Sequence, residues 1–495
     1  MKYLLGIDVG TTGTKTVLFS ECAEPKKRAY RSYPLYCERV GESEQEPGDF
    51  WRAIVETVRE VSFGATPEDI VAISLSTQGG TLVPTDAKGN PTRRAIVWND
   101  IRFTDEREKY LREIGEPDTL YRKTGWGLGR GMPLLALRYL RDKEPEVFAR
   151  SELFLSVPSY VSMKMTGIAA TDLSNGGIEQ LLNIESECYD SELLAFAGVT
   201  PERLAVPIPS GKVIGHLTEE AARELGLTTK TVLVSGAHDQ YAVALGAGAT
   251  EPGDILIGSG TCWVVTALSK EPDFDSHLAQ SRSAVGGLWG TLRSLSTGGV
   301  CLDWLRKNIA NGDGTEIDYA VINEAVRDRR AAEDGLLFFP FKGMRGDGES
   351  FTKATFLGLD LSHDRFSMAR AVMEGVVFQI LFMMEGFAVK PGEDGIKLGG
   401  GASKSRVWAE ILADASGLPV RIPELADLST VGAAILAGVG VGIFRDVRDG
   451  YSRFTLKEHT VMPNKERHEI YRPLYEKYKR LARELGRVYD AASDN

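Results

Sequence analysis

Carboxylate and hydroxyl side chains gather around glycine at the amino terminus of the chain. Asp8 opens the run Val9-Gly10-Thr11-Thr12-Gly13-Thr14-Lys15. Backbone amides in a Gly/Thr turn can cradle an anion, and threonine hydroxyls add donors. Asp8 would repel a phosphate directly, so we expect it to hold Mg²⁺ or its waters. An ordinary hairpin with a capping aspartate is the simpler alternative. The candidate phosphate-binding residues are Gly10, Thr11, Thr12, Thr14 and Lys15.

A second acid stands where a predicted strand ends. The β-branched segment 231–234 leads into Gly236-Ala237-His238-Asp239-Gln240, and a helix is predicted over 241–248. A carboxylate there can position an alcohol and accept its proton, so Asp239 is the candidate general base. Gln240 can bridge a neighbouring hydroxyl. The alternative for Asp239 is a simple helix cap, and His238 is predicted to be structural because no acid or nucleophile is visibly paired with it.

Two further glycine-rich loops accompany the first. Residues 255–261 repeat the opening pattern, an apolar strand that enters a Gly/Ser/Thr turn, and 398–403 place three glycines before a predicted helix. Consecutive glycines cost conformational entropy unless the backbone must approach a ligand. Two similar domains, each with a phosphate hairpin, would clamp a nucleotide between them. The candidate nucleotide-binding residues in these loops are Gly258, Ser259, Gly260, Thr261, Gly400, Gly401 and Ala402.

Polar residues also follow two other predicted strands. The apolar segment 71–75 runs into Ser76-Thr77-Gln78-Gly79-Gly80, and 95–98 ends in Asn99-Asp100. Strand ends that point into one cleft are the usual way in which α/β proteins build sites. The candidate substrate-binding residues are Gln78, Gly79, Gly80, Asn99, Asp100, Asp239 and Gln240. Three tryptophans belong either to the core or to a sugar-stacking surface: Trp98, Trp126 and Trp263.

The elements that must position these residues are strands paired by tight turns. Thr and Val dominate residues 16–20, so a strand rather than a helix is predicted to follow the first glycines. That excludes a Rossmann or Walker-type loop, which a helix must follow. An amphipathic helix is predicted over 49–61 with Asp49 as its cap. The turn-forming residues Glu251-Pro252-Gly253-Asp254 predict a boundary between two domains, 1–248 and 249–495.

Composition narrows the function class. A chain of 495 residues is too long for one core, and its net charge of −11 argues against nucleic-acid binding. The start of the chain carries Asp8 inside what would be the apolar part of a leader, and no apolar run predicts a membrane span. Five scattered cysteines without a CxxC pair predict reduced thiols in the cytoplasm and no zinc site.

Taken together, these motifs resemble the FGGY carbohydrate kinase family, within the actin, hexokinase and Hsp70 ATPase superfamily. The resemblance rests on six segments in the family's order: 6–12, 44–47, 96–100, 236–240, 357–363 and 398–402. It implies an α/β chain of two actin-like (ribonuclease H-like) domains with a deep interdomain cleft. The first domain would hold the sugar and the second most of the nucleotide. It also implies ATP and Mg²⁺, with Asp8 linked to the metal and Asp239 as base, and a possible homodimer.

The expected activity is ATP-dependent phosphorylation of a hydroxyl on a small sugar or polyol, with a ketopentose such as xylulose as the first expectation. Segments 98–100 and 294–304 resemble xylulokinases, whereas Gln240 resembles glycerol kinases. Gly79 and Gly80 depart from both, since xylulokinases carry Met-His there and glycerol kinases Arg-Glu. The departure predicts either lost discrimination or room for a bulkier ligand. Arg130 is a candidate replacement donor.

Two alternatives stay open from the sequence. The acceptor can be another polyol or ketose: glycerol, a tetritol, a pentitol or ribulose. From a different class, the chain can be an actin- or Hsp70-like ATPase whose closure serves a protein partner. That last hypothesis does not explain why four polar residues should converge on one site: Gln78, Asn99, Asp100 and Asp239.

Overall fold

A computed structural model describes residues 1–127, 132–309, 315–332, 335–344, 353–454 and 458–493. The chain forms two compact units. The first unit comprises Met1–Pro252, Leu268–Thr291 and Leu425–Leu456, and the second comprises Gly253–Ala267, Leu292–Glu424 and Lys457–Asn495. Each unit thus contains segments distant in sequence.

The first fourteen strands all belong to the first unit. They are β1 (Tyr3–Val9), β2 (Gly13–Ser20), β3 (Pro25–Ser32), β4 (Glu44–Gln45), β5 (Ile70–Thr77), β6 (Leu82–Thr85), β7 (Ala95–Ile96), β8 (Leu153–Ser156), β9 (Ala170–Asp172), β10 (Leu182–Asn183), β11 (Cys188–Tyr189), β12 (Val206–Ile208), β13 (Val213–His216) and β14 (Val232–His238). The later strands are β15 (Ile255–Ser259), β16 (Trp263–Ser269), β17 (Ala279–Arg282), β18 (Trp289–Leu295), β19 (Leu337–Phe339), β20 (Thr355–Leu357), β21 (Ile396–Gly400), β22 (Val420–Pro423) and β23 (Glu458–Val461).

The helices alternate with these strands along the chain. The first ten are α1 (Pro47–Ser62), α2 (Thr104–Ile114), α3 (Pro117–Thr124), α4 (Pro133–Lys143), α5 (Pro145–Arg150), α6 (Val157–Thr166), α7 (Leu173–Ile178), α8 (Ser191–Ala197), α9 (Glu219–Leu225) and α10 (Asp239–Gly246). The remainder are α11 (Gly299–Asn308), α12 (Tyr319–Val326), α13 (Arg365–Glu385), α14 (Arg406–Ser416), α15 (Leu428–Gly440), α16 (Val447–Phe454) and α17 (Lys465–Ser493).

The main sheet of the first unit has the order β13-β14-β5-β1-β2-β3. Strands β14, β5 and β1 run parallel to one another, whereas β1–β2 and β2–β3 are antiparallel. The predicted hairpin after the first glycines is therefore confirmed. Because β1, β5 and β14 are parallel neighbours, their carboxyl ends lie at one edge of the sheet, where polar side chains can meet.

Helix α15 packs closely onto this sheet and onto α10 because glycines replace side chains at the contacts. A Cβ atom at Gly6 of β1 would lie 2.1 Å from the carbonyl oxygen of Thr430, and one at Gly432 would lie 2.0 Å from that of Ala242. Backbone can approach backbone this closely only where no side chain intervenes. The late Gly/Ala-rich helix is thus fixed beside the strand that carries Asp8.

In the second unit, neighbouring strands follow the order β16-β15-β21-β22-β23. The β15–β16 pair is an antiparallel hairpin, as predicted, and β21 runs parallel to β15. Helix α13 is long and apolar enough to span a bilayer by length and composition, but 83% of its most apolar window is buried inside the protein. It is a core helix of this unit.

The start of α1 differs from its prediction. The helix begins at Pro47 with Glu46 as the N-cap residue, and no side chain caps it. Asp49 lies in the first turn and pairs with Arg52 at 2.7 Å. Proline has no backbone N–H and its φ is pre-set, so the helix begins three residues earlier than one capped by Asp49 would.

Candidate active site

Two carboxylates lie at the shared edge of the first unit's sheet. Asp8 is paired in register with Ser76 of β5, and the Ser76 hydroxyl donates to Asp8 Oδ1 at 2.7 Å. Asp239 directly follows β14, whose last residue, His238, is paired with Thr77. The acids predicted as metal-linked residue and general base are thereby brought to the same edge of the sheet, on the two strands that flank β5.

Asp8 has an environment that disfavours its charge. Burial raises the pKa of its carboxyl, and the nearby negative charge of Asp239 raises it further. Hydrogen bonds from Ser76 and Ser429 and the positive charge of Lys15 act in the opposite direction. Two acids that repel each other at a strand edge are suited to receive a cation. Among the described residues, no group of three or more His, Cys, Asp or Glu side chains could hold a metal ion.

The first Gly/Thr turn is bonded to the end of β5. The Thr11 hydroxyl donates to Gln78 Oε1 at 2.9 Å and accepts from the Trp98 indole at 3.0 Å. Gln78 in turn donates from Nε2 to Gln45 Oε1 at 3.0 Å, and Gln45 Nε2 donates to the Thr11 carbonyl at 2.6 Å. Thr12 is exposed at the tip of the turn. The predicted phosphate turn and a predicted acceptor residue thus form one hydrogen-bonded network.

Other residues of that turn point elsewhere. The Gly10 amide donates to the Gly13 carbonyl at 3.1 Å and closes the hairpin. Thr14 is fully buried, and Lys15 Nζ lies 2.8 Å from Asp427 Oδ1. In this arrangement Thr11 and Thr12 present side chains at the turn's surface, whereas Thr14 and Lys15 stabilise its base.

The Asn99–Asp100 pair divides between surface and interior. Asn99 is exposed, but Asp100 is fully buried. Its Oδ2 accepts from the Ser43 amide and from Arg102 Nη2, both at 2.7 Å, and its Oδ1 accepts from the Arg102 amide at 3.0 Å. The carboxylate is therefore occupied by protein donors behind the strand end, where it holds the 97–102 turn in place rather than facing outward.

Gly79 and Gly80 do not open a void. A Cβ at Gly79 would lie 2.6 Å from His238 Cδ2. The backbone at Gly80 has a φ of +71°, and a Cβ there would lie 3.2 Å from Trp98 Cβ and 3.3 Å from Met132 Sδ. The space that side chains would take is filled by the protein itself. Of the two predicted consequences of these glycines, extra room for a bulkier ligand is not what this arrangement provides.

His238 is the functional candidate that sequence reasoning missed. Its Nε2 lies 3.2 Å from Asp239 Oδ1, and the imidazole is 8% exposed. The prediction that no acid is paired with His238 was wrong. The signal was the adjacency of the two residues at a strand-to-helix junction, where the chain turns and can bring consecutive side chains together. Gln240 is half-buried in the first turn of α10.

The second unit contains a cavity of about 570 Å³ beside its glycine loops. Ser259 ties the two loops together, because its carbonyl accepts from the Gly401 amide at 2.5 Å and its hydroxyl accepts from the Ala402 amide at 3.0 Å. Gly258 lies behind the cavity, paired with Gly399 of β21, and Gly400 is paired with Ser259. The cavity's lining includes the predicted residues Ser259, Gly260, Thr261, Gly401 and Ala402.

The same cavity has lining residues that the sequence did not single out. Tyr319 and Asn323 come from α12, and Lys404 and Trp408 come from the segment after the third glycine loop. Trp263 also lines it, is 1% exposed and packs on Trp408 with 5.1 Å between ring centroids. Helical spacing alone does not distinguish such residues from core, so no sequence signal marked them.

The remaining predicted residues fall in different places. Trp126 is half-buried in the first unit and donates from its indole to Ser281 Oγ at 2.9 Å. Arg130, the candidate replacement donor, lies outside the described residues. All five cysteines are free.

Models of a known protein family match both halves of the chain. The model of the N-terminal domain of the FGGY family of carbohydrate kinases matches residues 3–246, and that of the C-terminal domain matches residues 254–441. Among curated proteins, the xylulose kinase of Bacillus subtilis is 30% identical, with 97% of each chain covered. The gluconokinase of Bacillus subtilis is 26% identical, with 99% of this chain and 98% of that protein covered.

Solved structures agree on the fold. The xylulose kinase from Rhodospirillum rubrum aligns with a TM-score of 0.90 at 27% identity over 99% of this chain and 100% of that one. Plasmodium falciparum glycerol kinase with ADP aligns with a TM-score of 0.87 at 17% identity over 100% of this chain and 99% of that one, which shows a shared fold. The predicted actin-like, two-domain α/β architecture is thereby confirmed. The chain belongs to the FGGY family of carbohydrate kinases.

Proposed function

We propose that this kinase transfers the γ-phosphoryl group of ATP to a hydroxyl of a neutral ketose or polyol, with a ketopentose such as xylulose as the first candidate, in the cytoplasm. The observation that carries the proposal is the placement of Asp239 beside Asp8 at the carboxyl edge of the β1-β5-β14 sheet. Family membership supplies the reaction class. The strand-edge acids supply the residues that can perform it on an alcohol.

Asp239 is the proposed general base. As the acceptor oxygen forms its bond to the γ-phosphorus, the bond from that phosphorus to the β–γ bridging oxygen breaks. The alcohol proton passes to the Asp239 carboxylate and ADP leaves. Phosphoryl transfer asks the protein mainly to position the alcohol and to accept its proton late. Gln240 and the exposed Asn99 are the proposed neighbours that hold other hydroxyls.

Asp8 is the proposed metal-linked acid. Mg²⁺ is commonly bound through one or two carboxylates together with substrate phosphates, so a buried acid fits it without a cluster of three protein ligands, and none was found among the described residues. The fit rests on the position of Asp8 at the sheet edge, where Ser76 holds one carboxylate oxygen. Burial and the charge of Asp239 raise its pKa, so its negative charge is disfavoured there and would be stabilised by a cation. When bound, Mg²⁺ would neutralise charge on the phosphates. The chain's own contribution is to hold Asp8 in place through Ser76 and Ser429.

The nucleotide is proposed to occupy the cavity of the second unit. Glycines at 260 and 401 let backbone amides approach phosphates, and Trp408 and Tyr319 offer flat apolar surfaces for the base. Gly258 and Gly400 set the strand pairing behind the loops. In the first unit, the exposed Thr12 is proposed to donate to phosphate from its hydroxyl, and Thr11 from its backbone amide, because the Thr11 hydroxyl already donates to Gln78.

A neutral acceptor is favoured over an acid. The proposed base and metal residue, Asp239 and Asp8, are both carboxylates, and Lys15, the cation beside them, is paired with Asp427 at 2.8 Å. An aldonate such as gluconate would bring a further negative charge to this edge. The relatives named gluconokinases make that substrate the second candidate, and the acceptor test must include it.

A coupled ADP-release assay with mass detection of the product tests the proposal. The acceptors are chosen in matched pairs: xylulose with xylitol, ribulose with ribitol, gluconate with glucitol, and erythritol with glycerol. We expect ADP release in proportion to a neutral acceptor, with a phosphorylated product, and weak turnover of gluconate. If no alcohol raises ADP release above the water background, the kinase proposal fails and an ATPase that serves a protein partner becomes the better account.

A further inference from the structure

The imidazole of His238 occupies the position that a side chain at residue 79 would take. A Cβ at Gly79 would lie 2.6 Å from His238 Cδ2 and 2.9 Å from its Nε2. Real Cβ atoms do not approach ring atoms this closely, so any larger residue at 79 would displace the ring. The absence of a side chain at Gly79 therefore makes room for the His238 ring.

The backbone of His238 is held as firmly as its ring. Its amide donates to the Ser174 hydroxyl at 2.8 Å, and Ser174 donates in turn to Asp172. Asp172 also caps α7 by accepting from the amides of Ser174 and Asn175. A register shift in β14 between Val234 and Ala237, just before His238, reorients the strand end, which is a common use of a bulge beside a site.

The two ring nitrogens have different surroundings. Nδ1 is buried and has no hydrogen-bond partner among the described residues, whereas Nε2 lies 3.2 Å from Asp239 Oδ1. A buried N–H without an acceptor costs about 1–3 kcal/mol, so the ring hydrogen belongs on Nε2. The Tyr241 ring packs against the imidazole at 5.7 Å between centroids and further restricts its rotation.

From this geometry we propose that His238 is a positioning residue for Asp239. The imidazole donates from Nε2 to Asp239 Oδ1 and fixes the carboxylate toward the acceptor hydroxyl. The inference rests on the proposed role of Asp239 as general base. Hydrogen bonds of this kind are often long in ligand-free structures and shorten when substrate binds. In this proposal His238 does not touch the acceptor but acts through Asp239. Gly79 is required because a larger residue there would displace the ring.

The test compares His238→Gln with His238→Met, two unbranched side chains of similar length. Gln places an amide nitrogen near the position of imidazole Nε2, whereas Met has no donor. We expect Met to lower kcat by roughly 10–100-fold and Gln to restore most of it, with KM for ATP unchanged in both, because a misplaced base costs turnover rather than nucleotide affinity. Equal activity of the two variants would overturn the proposal.

A double-mutant cycle tests whether Gly79 acts by making room for the His238 ring. Gly79→Ala should lower kcat in the wild-type background by displacing the ring, and should change it little in a His238→Ala background, where the neighbouring Ile178 Cδ1 at 3.1 Å can move aside. Additive effects would overturn the proposed coupling. Circular dichroism of each variant controls for loss of fold.

The outcome separates this inference from the proposed function. If wild-type protein phosphorylates an acceptor but Gln and Met are equivalent, the kinase function stands and the positioning role fails. If wild-type protein phosphorylates no acceptor, the proposed function itself fails. An acceptor-independent readout is the ¹⁵N spectrum of the imidazole, assigned through its loss in His238→Gln. We expect the Nε2–H tautomer, and the Nδ1–H tautomer would contradict the proposal.

Discussion

Thr11 Oγ1 donates a hydrogen bond to Gln78 Oε1 across 2.9 Å, so the first Gly/Thr turn is bonded directly to the end of β5. Gln78 is 2% exposed and its amide nitrogen is already engaged by Gln45. A change at the turn is therefore transmitted to the strand end beside the two carboxylates. Under this account, the residues that bind phosphate and those that place the acceptor are not energetically independent.

Replacing Thr11 by Val tests that coupling. The variant leaves the buried Gln78 oxygen without its donor, which should lower the free energy of unfolding by about 1–3 kcal/mol and also reduce kcat/KM for the acceptor. Chemical denaturation and steady-state kinetics measure the two effects. Thr12→Val is the matched control, since Thr12 is exposed at the same turn, and it should leave the unfolding free energy nearly unchanged. Equal destabilisation by both changes would contradict the coupling.

Replacing Gly400 by Ala tests the join between the glycine loops of the second unit. Gly400 has a φ of +92°, and a Cβ there would lie 2.6 Å from the Ser259 carbonyl oxygen. We expect a loss of at least about 1–2 kcal/mol of stability from the left-handed backbone alone, together with weaker ATP binding by calorimetry. Gly401→Ala is the control for stability, because its Cβ would be 3.3 Å from the same oxygen and its φ is not positive. A stable Gly400→Ala variant with wild-type ATP affinity would count against the arrangement.

Glu179 gives a pH-dependent prediction. Burial raises the pKa of this carboxyl to about 7, against hydrogen bonds from Ser156 and Thr171. In the folded protein Glu179 thus binds its proton more tightly than in the unfolded chain. Its contribution to stability is greatest below the unfolded pKa and is lost as pH rises toward 7.

Glu179→Gln removes that titration. Relative to wild type, the variant should gain stability between pH 4.5 and 7, by on the order of 3 kcal/mol at the upper end. Urea denaturation of both proteins across this range measures the difference. Glu68→Gln, at an exposed position, serves as the matched control for the loss of one carboxyl. A flat difference for Glu179→Gln would show that Glu179 is charged in the folded state at neutral pH.

The elements that position the site were predictable because their signals are local. Thr and Val after the first glycines predict a strand, and the structure has that strand as β2, paired with β1 in a hairpin. Likewise, Asp239 was identified from a strand running into a helix. The start of α1 was misjudged because proline at its first turn determines where the helix begins, and that effect competes with an aspartate two residues further on.

The contacts that decide each side chain's role were not predictable, because they join distant segments. Nothing in the sequence around Asp100 shows that Ser43 donates to it, and only the fold places His238 over Gly79. Glycines at 79 and 80 suggested space, since a missing side chain is visible in the sequence while the neighbour that fills its place is not. The division of the chain into units is similarly determined by late segments that join the first unit.

The role of Asp239 is the central claim, and Asp239→Asn tests it most directly. The same preparation is measured for ATP binding by calorimetry and for phosphoryl transfer to the best neutral acceptor. We predict that turnover falls by roughly 10²–10⁴-fold, the usual worth of a general base, while ATP affinity stays at the wild-type value. Turnover close to wild type, or loss of ATP binding in a folded variant, would contradict the account and assign Asp239 to another role.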